Sequence, residues 1–289
     1  MAPNPSAAPA RPPLKILMLH GYTQSGPLFH AKSRALVKHI QKTFPTHEVI
    51  ASYPTGPLRL RPSDIPGYEP SEGNAAATEE DEIEAYGWFR RSNTADPPLY
   101  QGLEDGLAAV AKVLSEEGPF DGVIGFSQGA AMVSMVASLL ENGRQEAFAR
   151  FEKADANGVS GIPYPASFAA PGLKHPPFKF AIAYSGFPSP GPRYRGFYES
   201  PPLQTRILHI LGTLDAVVEE SRSRALIDVC AGQPEAEGLV VWHPGGHFLP
   251  SQRPYLDAAV RFIREQLEKS DGKKKTEEEE DVNDMDVPF

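Results

Sequence analysis

The stretch "VIGFSQGAA" at residues 123–131 decides the fold. An apolar run leads into a G-x-S-x-G pattern in which Ser127 lies between Gly125 and Gly129, and small helix-forming residues follow. A serine at a sharp strand-to-helix turn has a strained backbone and little room beside it, and a glycine two positions away on each side supplies that room. The stretch therefore predicts a buried strand, a tight turn that exposes the serine hydroxyl, and a helix.

A serine hydroxyl is a weak nucleophile until a base removes its proton, and a carboxylate commonly holds the base in the required tautomer. Two later apolar runs end in suitable groups: "GTLD" ends at Asp215, and "PGGH" ends at His247. The chain order Ser, Asp, His is the order of α/β-hydrolases. We predict a catalytic triad of Ser127, Asp215 and His247.

The rest of the chain alternates apolar runs with helical patterns. This alternation predicts an α/β fold, with a mostly parallel central sheet flanked by helices on both faces. In such sheets the carboxyl ends of the strands gather the functional groups. We predict strands at 14–20, 48–54, 120–126, 178–187, 205–212 and 238–245, and helices at 28–44, 103–118, 128–143, 221–230 and 255–269.

The 289 residues are enough for one large domain. We place it at 14–269, after a flexible N-terminus at 1–13 and before an acidic tail at 270–289 that we expect to be disordered. A long loop is expected at 55–80. Residues 144–177 carry few regular signals, and a segment of that length inside a compact domain is a candidate insertion or lid.

Charge and composition exclude several classes of function. The net charge is −9, and the segment from residue 271 onward, with eight acids and three lysines, contributes −5 of it. The rest of the chain is near neutral and lacks the excess of basic residues expected of a nucleic-acid-binding protein. The single cysteine, Cys230, excludes a disulfide framework and a thiolate metal site.

Targeting signals are also weak in this sequence. The N-terminus lacks the pattern of a signal peptide, and the uncharged stretch at 122–140 is interrupted by glycine and serine, so a strand, turn and helix explain it better than a membrane span. We expect a cytoplasmic protein, and the lysine run at 273–275 leaves the nucleus open.

Other histidines compete for the role of the base. His209 lies inside an apolar strand pattern and is expected in the core. His243 ends the same strand as His247 but falls four residues short of the glycine-flanked loop, and His20 is expected to order the loop after the first strand.

Other acids compete less well for the acid position. Asp228 lies in a helical pattern and is typical of a solvated face, and Asp121 precedes its strand and so lies at the wrong end of the sheet. The histidines lack metal-ligand spacing such as H-E-x-x-H, so we expect no metal and no cofactor.

An oxyanion hole needs two donors. The first is expected to be the backbone N–H of Gln128, the residue after the nucleophile, and the second that of Tyr22, in the loop after the first strand. Candidate substrate-binding residues are Trp88 with the adjacent Phe89, Phe187 and Phe248, although ordinary core packing is the favoured interpretation of the first pair.

These stretches together resemble a known family. "LHGYTQSG", "GPFDGVIGFSQGAAM", "HPPFKFAIAYSGF", "LGTLDAVV" and "HPGGHFLP" are similar to the corresponding blocks of the FSH family of serine hydrolases, and they cover about residues 14–268. The resemblance implies an α/β-hydrolase fold, the triad and oxyanion donors named above, and hydrolysis of an ester or thioester.

Some fungal members of the family release polyketide chains from synthases, so an acyl chain carried on a synthase is one candidate partner. The oligomeric state stays open at this stage. The alternative to an enzyme is a ligand-binding protein on the same fold that does not turn its ligand over.

Overall fold

The computed structural model describes residues 11–65, 84–92, 94–153, 155–169 and 171–283, with side chains described as far as residue 272. Within these ranges a six-stranded sheet has the order β10-β9-β8-β7-β1-β2. All of its strand pairs are parallel. The strands are β1 (Pro13–Leu19), β2 (Glu48–Ser52), β3 (Leu58–Arg59), β4 (Tyr86–Gly87), β5 (Arg90–Arg91), β6 (Tyr100–Gln101), β7 (Gly122–Phe126), β8 (Phe180–Tyr184), β9 (Ile207–Gly212) and β10 (Val240–His243).

Helices cover both faces of this sheet. Along β1, Ile16 and Met18 join one core cluster with α1 and α7, whereas Leu17 and Leu19 join a second cluster with α2, α3 and α6. Successive side chains of a strand point to opposite faces, so one strand contributes to both cores. The helices are α1 (Gly26–Thr43), α2 (Leu103–Glu117), α3 (Gln128–Leu139), α4 (Arg144–Phe151), α5 (Arg195–Tyr198), α6 (Glu220–Asp228) and α7 (Arg253–Asn283). The α/β prediction is confirmed.

Two short antiparallel ladders were not predicted. The strand β3 pairs with β4, and β5 pairs with β6, with two residues from each strand. Two-residue strands are too short to produce a periodic pattern. The first ladder begins inside the predicted loop at 55–80, of which residues 66–80 lie outside the described residues.

The helix predicted at 128–143 ends earlier, at Leu139, and a separate helix, α4, follows it. Gly143 adopts φ of +77° at the N-terminus of α4, a conformation that favours glycine. The buried guanidinium of Arg144 donates to the carbonyl of Pro201 (2.8 Å) and pairs with Glu141 (2.6 Å). These bonds fix the start of α4 against the chain that follows α5.

The described part of segment 144–177 packs into the body of the domain. The helix α4 contacts α5, residues 166–168 contact α2, and the Tyr164 hydroxyl donates to the carbonyl of Leu139 at the C-terminal end of α3. The interpretation of this segment as a lid stays a prediction.

The last helix is longer than the sequence indicated. Its backbone is helical through Asn283, beyond the expected end at residue 269, because lysine and glutamate are good helix formers. The domain boundaries drawn from the sequence therefore stay predictions, and residues 1–10 and 284–289 lie outside the described ones. Among the described residues, no helix is long and apolar enough to cross a membrane.

His209 lies in the core, where the sequence placed it. It is 1% exposed on β9, and burial lowers the pKa of its imidazole from 6.5 to about 3. The folded protein therefore keeps this ring neutral at pH values where the unfolded chain protonates it. Stability linked to His209 is present above pH 6.5 and is lost as the pH falls below that value.

We expect the substitution His209→Gln to flatten the pH dependence of stability. The wild-type free energy of unfolding should fall by about 2 kcal/mol more between pH 7 and pH 5 than that of the variant, because only the wild type protonates this ring on unfolding. Urea unfolding at the two pH values measures the difference. If the free energy of unfolding depended on pH equally in both proteins, the conclusion that the folded protein keeps His209 neutral would be wrong.

Candidate active site

Ser127 forms the sharp turn between β7 and α3. Its backbone adopts φ of 54° and ψ of −116°, outside the ordinary regions for a residue with a side chain. The turn is held on both sides: the Ser127 N–H donates to the Tyr184 carbonyl on β8 (2.8 Å), and the Ser127 carbonyl accepts from Ala130 (2.9 Å) in α3. Strained backbone of this kind costs about 1–3 kcal/mol and persists only where its surroundings over-determine it.

The two flanking glycines are required by close packing. A Cβ on Gly125 would lie 2.4 Å from the carbonyl oxygen of Gly129, and a Cβ on Gly129 would lie 2.0 Å from the carbonyl oxygen of Leu19 on β1. Both distances are far inside van der Waals contact. The first turn of α3 can therefore approach β7 and β1 only because these positions carry no side chain.

The structure brings the three predicted triad residues together. The Nε2 atom of His247 lies 2.9 Å from Ser127 Oγ, and its Nδ1 atom lies 2.8 Å from Asp215 Oδ2. The Phe126 ring lies beside the imidazole, with ring centroids 4.8 Å apart. The three residues reach one another because β7, β9 and β10 all end at the same edge of the parallel sheet.

The Asp215 carboxylate is positioned by its own loop. Its Oδ1 atom accepts from the N–H groups of Val217 and Val218, each at 2.9 Å, which leaves Oδ2 for His247. Burial raises the pKa of this carboxyl, but the hydrogen bonds from His247 and Val218 outweigh burial and hold the pKa below its usual range. Asp215 is therefore ionised at neutral pH and can hold the imidazole in the tautomer with a proton on Nδ1.

Two backbone N–H groups are available for an oxyanion. Neither Gln128, the first residue of α3, nor Tyr22, in the loop after β1, donates its backbone N–H to any acceptor among the described residues. The N-terminus of α3 adds a partial positive charge at the same place. These are the two N–H groups that we predicted from the sequence for the oxyanion hole.

The side chain of Gln128 has a role that the sequence did not reveal. Its Oε1 atom accepts from the Trp88 N–H (2.8 Å), and its Nε2 atom donates to the Phe89 carbonyl (2.7 Å). These bonds fasten the segment between β4 and β5 to the start of α3. Only the fold brings the two segments together, so no local pattern could have indicated this contact.

Trp88 is buried and offers no surface to a substrate. Its ring is 0% exposed, and its Nε1 atom donates to the carbonyl of His20 (2.9 Å). His20 Nε2 in turn lies 2.8 Å from the N–H of Gly56, and burial lowers the pKa of His20 from 6.5 to about 4. His20 is thus neutral, and its hydrogen bonds to Trp88 and Gly56 order the loop that carries Tyr22, as predicted from the sequence.

The other candidate pocket residues differ in exposure. Phe187 is 8% exposed and lies under the guanidinium of Arg222, whereas Phe248, next to His247, is 44% exposed. Leu214 and Val217, on either side of Asp215, are exposed as well. An apolar rim formed by Leu214, Val217 and Phe248 therefore flanks the acid and the base of the triad.

The other residues considered for the acid and the base of the triad have different surroundings. Asp121 accepts from the Lys15 N–H (2.9 Å) and pairs with Lys179 before β7, and Asp228 is exposed at the end of α6. His243 is buried in β10 beneath Phe248. Within the ranges that the structure covers, no cluster of three or more His, Cys, Asp or Glu side chains could hold a metal.

Comparison with known proteins agrees with this geometry. The family model described as serine hydrolase (FSH1) matches residues 10–259. The chain belongs to the FSH1 family of serine hydrolases. Both the resemblance read from the sequence and the expected fold are confirmed.

Individual relatives differ in length. An esterase OVCA2 from Danio rerio is 31% identical over 86% of this chain and 98% of its own length. A Schizosaccharomyces pombe protein named dihydrofolate reductase is 33% identical over 87% of this chain, which spans only 47% of that protein. Among solved structures, Zea mays acyl-protein thioesterase 2 superposes with a TM-score of 0.54 at 21% identity, covering 90% of this chain and 96% of its own; at that identity it shows the fold alone.

The contact between Gly129 and Leu19 can be tested with one methyl group. We expect Gly129→Ala to destabilise the FSH1-family domain by more than about 2 kcal/mol and to abolish activity, since the methyl overlaps a backbone carbonyl. Urea unfolding and an esterase assay measure both effects. The matched control is Gly172→Ala, whose added methyl would lie 3.4 Å from its nearest neighbour. Equal stability of the two variants would contradict the packing argument.

Proposed function

We propose that this serine hydrolase cleaves carboxylic esters or thioesters through an acyl-enzyme on Ser127. The observation that carries the proposal is the continuous chain of hydrogen bonds from Ser127 Oγ through His247 to Asp215. A nucleophile within 2.9 Å of a base that is itself oriented by a carboxylate is the arrangement expected of an activated serine.

In the first half of the reaction, Ser127 Oγ attacks the carbonyl carbon of the substrate while His247 Nε2 takes the hydroxyl proton. The electron pair of the carbonyl moves to its oxygen, where the N–H groups of Gln128 and Tyr22 stabilise the negative charge. As the tetrahedral intermediate collapses, the bond to the alcohol or thiol breaks, and His247 gives its proton to that leaving group.

In the second half, water attacks the acyl-enzyme and His247 again accepts a proton. Collapse of the second tetrahedral intermediate breaks the bond to Ser127 Oγ, which regains its proton, and the carboxylic acid is released. Asp215 stays ionised throughout. It accepts a hydrogen bond from the Nδ1–H of His247 and stabilises the imidazolium that forms in each half of the reaction.

The surroundings of the site favour an apolar substrate. The exposed side chains of Leu214, Val217 and Phe248 gain from contact with an acyl chain or an apolar leaving group. We propose a small ester or thioester substrate, and an acyl chain carried on a synthase is a second source of the same chemistry. A cytoplasmic location remains our proposal from the sequence, and the nucleus stays open.

Two substitutions test the triad. We expect Ser127→Ala to lower kcat on p-nitrophenyl butyrate by about 10⁴-fold or more, because it removes the nucleophile. Asp215→Asn should lower kcat by about 10⁴-fold with little change in KM, because the amide favours the wrong imidazole tautomer. Steady-state kinetics and circular dichroism on the same samples measure activity and folding.

The matched control for Asp215→Asn is Asp228→Asn, an exposed acid at the end of α6. It should retain wild-type kinetics. Folded Ser127→Ala protein with near-wild-type turnover would contradict the proposal. A wild type that binds esters and thioesters without releasing product over hours would instead identify a ligand-binding protein on this fold.

A further inference from the structure

A cavity of about 670 Å³ lies between the β5–β6 ladder, α5 and α6. Its volume is that of an ordinary small-molecule site. Ser189 lines it and donates from Oγ to Met135 Sδ on α3 (3.1 Å). Ser127, Asp215 and His247 are not among the residues that line the cavity.

One polar group in the wall of this cavity lacks a partner. The Tyr100 ring is 6% exposed, stacks on Phe89 with ring centroids 4.1 Å apart, and lies 5.1 Å from the Tyr194 ring. Its hydroxyl makes no hydrogen bond to any described residue, although buried tyrosine hydroxyls usually find one. The wall of the cavity therefore contains a tyrosine on a tightly packed ring whose hydroxyl has no acceptor among the described residues.

Two cations share the wall of the cavity with Tyr100. Arg91 is the cross-strand neighbour of Tyr100 in the β5–β6 ladder, so their side chains leave the same face. Arg222 projects from α6 and is held over the Phe187 ring at 4.2 Å. Neither guanidinium is paired with a carboxylate among the described residues, and both residues line the cavity together with Tyr100.

The remaining charges of the lining cancel. Arg195 pairs with Glu199 at 2.8 Å, and both residues lie in the wall. Two positive charges, on Arg91 and Arg222, are left uncompensated. The rest of the wall is largely apolar and includes Ala225 and Val229, which share a face of α6 with Arg222.

We propose that this cavity is a second binding site, for an anion attached to an apolar body, such as a medium-chain carboxylate. The Tyr100 hydroxyl donates a hydrogen bond to the anion, and Arg91 and Arg222 neutralise its charge. The apolar body lies against the proline-rich loop after Phe187 and the α6 face of Ala225 and Val229. The site does not depend on turnover at Ser127.

Calorimetric titration with decanoate tests the proposal. The protein is first treated with diisopropyl fluorophosphate, so that product-like binding at Ser127 is blocked. We expect decanoate to bind the blocked protein, and Tyr100→Phe to weaken binding about tenfold, because it removes one hydrogen bond to a charged group. Arg222→Gln should weaken binding about threefold to tenfold at low salt, and less at high salt.

Three controls accompany the titration. Arg224→Gln, on α6 but paired with Glu220 and Glu235, should leave the affinity unchanged. Decanol, which lacks the charge, and inorganic phosphate, which lacks the apolar body, should each bind at least tenfold more weakly than decanoate. Arg222 is exposed, so its variant folds even if Tyr100→Phe does not.

Absence of decanoate binding to the blocked protein would overturn the proposal. Equal affinity in the wild type, Tyr100→Phe and Arg222→Gln would also overturn it, as would equal binding of decanol or phosphate. If the reagent fails to modify Ser127, that result contradicts the proposed function alone. The same titrations then run on Ser127→Ala protein, where the Tyr100 and Arg222 variants still decide whether the cavity binds.

Discussion

The backbone of Gly129 lies directly against the carbonyl of Leu19, and the geometry around Ser127 depends on that contact. A single added methyl would come within 2.0 Å of the carbonyl oxygen. Because α3 can start so close to the ends of β1 and β7, the chain has to turn within one residue, and that residue is Ser127. The cost is a backbone conformation that few residues with a side chain adopt. The gain is a hydroxyl held at the helix N-terminus and directed at His247.

Several loops depend on the same turn. Gln128, immediately after the nucleophile, fastens Trp88 and Phe89 through its side chain, and Trp88 donates to the carbonyl of His20. The loop that carries Tyr22 is thus tied to α3 by buried hydrogen bonds. Buried polar networks are rigid when all their members are satisfied. The two N–H groups proposed for the oxyanion therefore keep their relative position without help from a substrate.

Much of the central sheet and of the catalytic triad could be predicted from the sequence, for identifiable physical reasons. The four central strands of the sheet are buried and apolar, and helical patterns alternate with the strands, so a mostly parallel sheet could be predicted. Ser127, Asp215 and His247 could be nominated because parallel strands end at one edge. The short β3–β4 and β5–β6 ladders could not, because two residues carry no period. The hydrogen bonds from the Gln128 side chain to Trp88 and Phe89, and the cross-strand pairing of Arg91 with Tyr100, join segments that only the fold brings together.

The aromatic residues show the limit of pattern reasoning most clearly. Trp88 was nominated to line a pocket and is fully buried against His20, while Phe248 is exposed beside His247 and Phe187 lies under Arg222. An aromatic side chain is used equally well in a core and in a pocket. Composition and spacing therefore cannot assign it; the depth of each ring in the fold decides.

The central claim is that the turn at Ser127 presents an activated nucleophile to His247. The most direct measurement is covalent labelling by a fluorophosphonate probe, followed by mass spectrometry of the modified peptide, for the wild type, Ser127→Ala and His247→Ala. The account predicts one adduct per wild-type chain, on the peptide that contains Ser127, and little or none in either variant. A folded wild type that stays unlabelled, or an adduct that persists in Ser127→Ala, would contradict it.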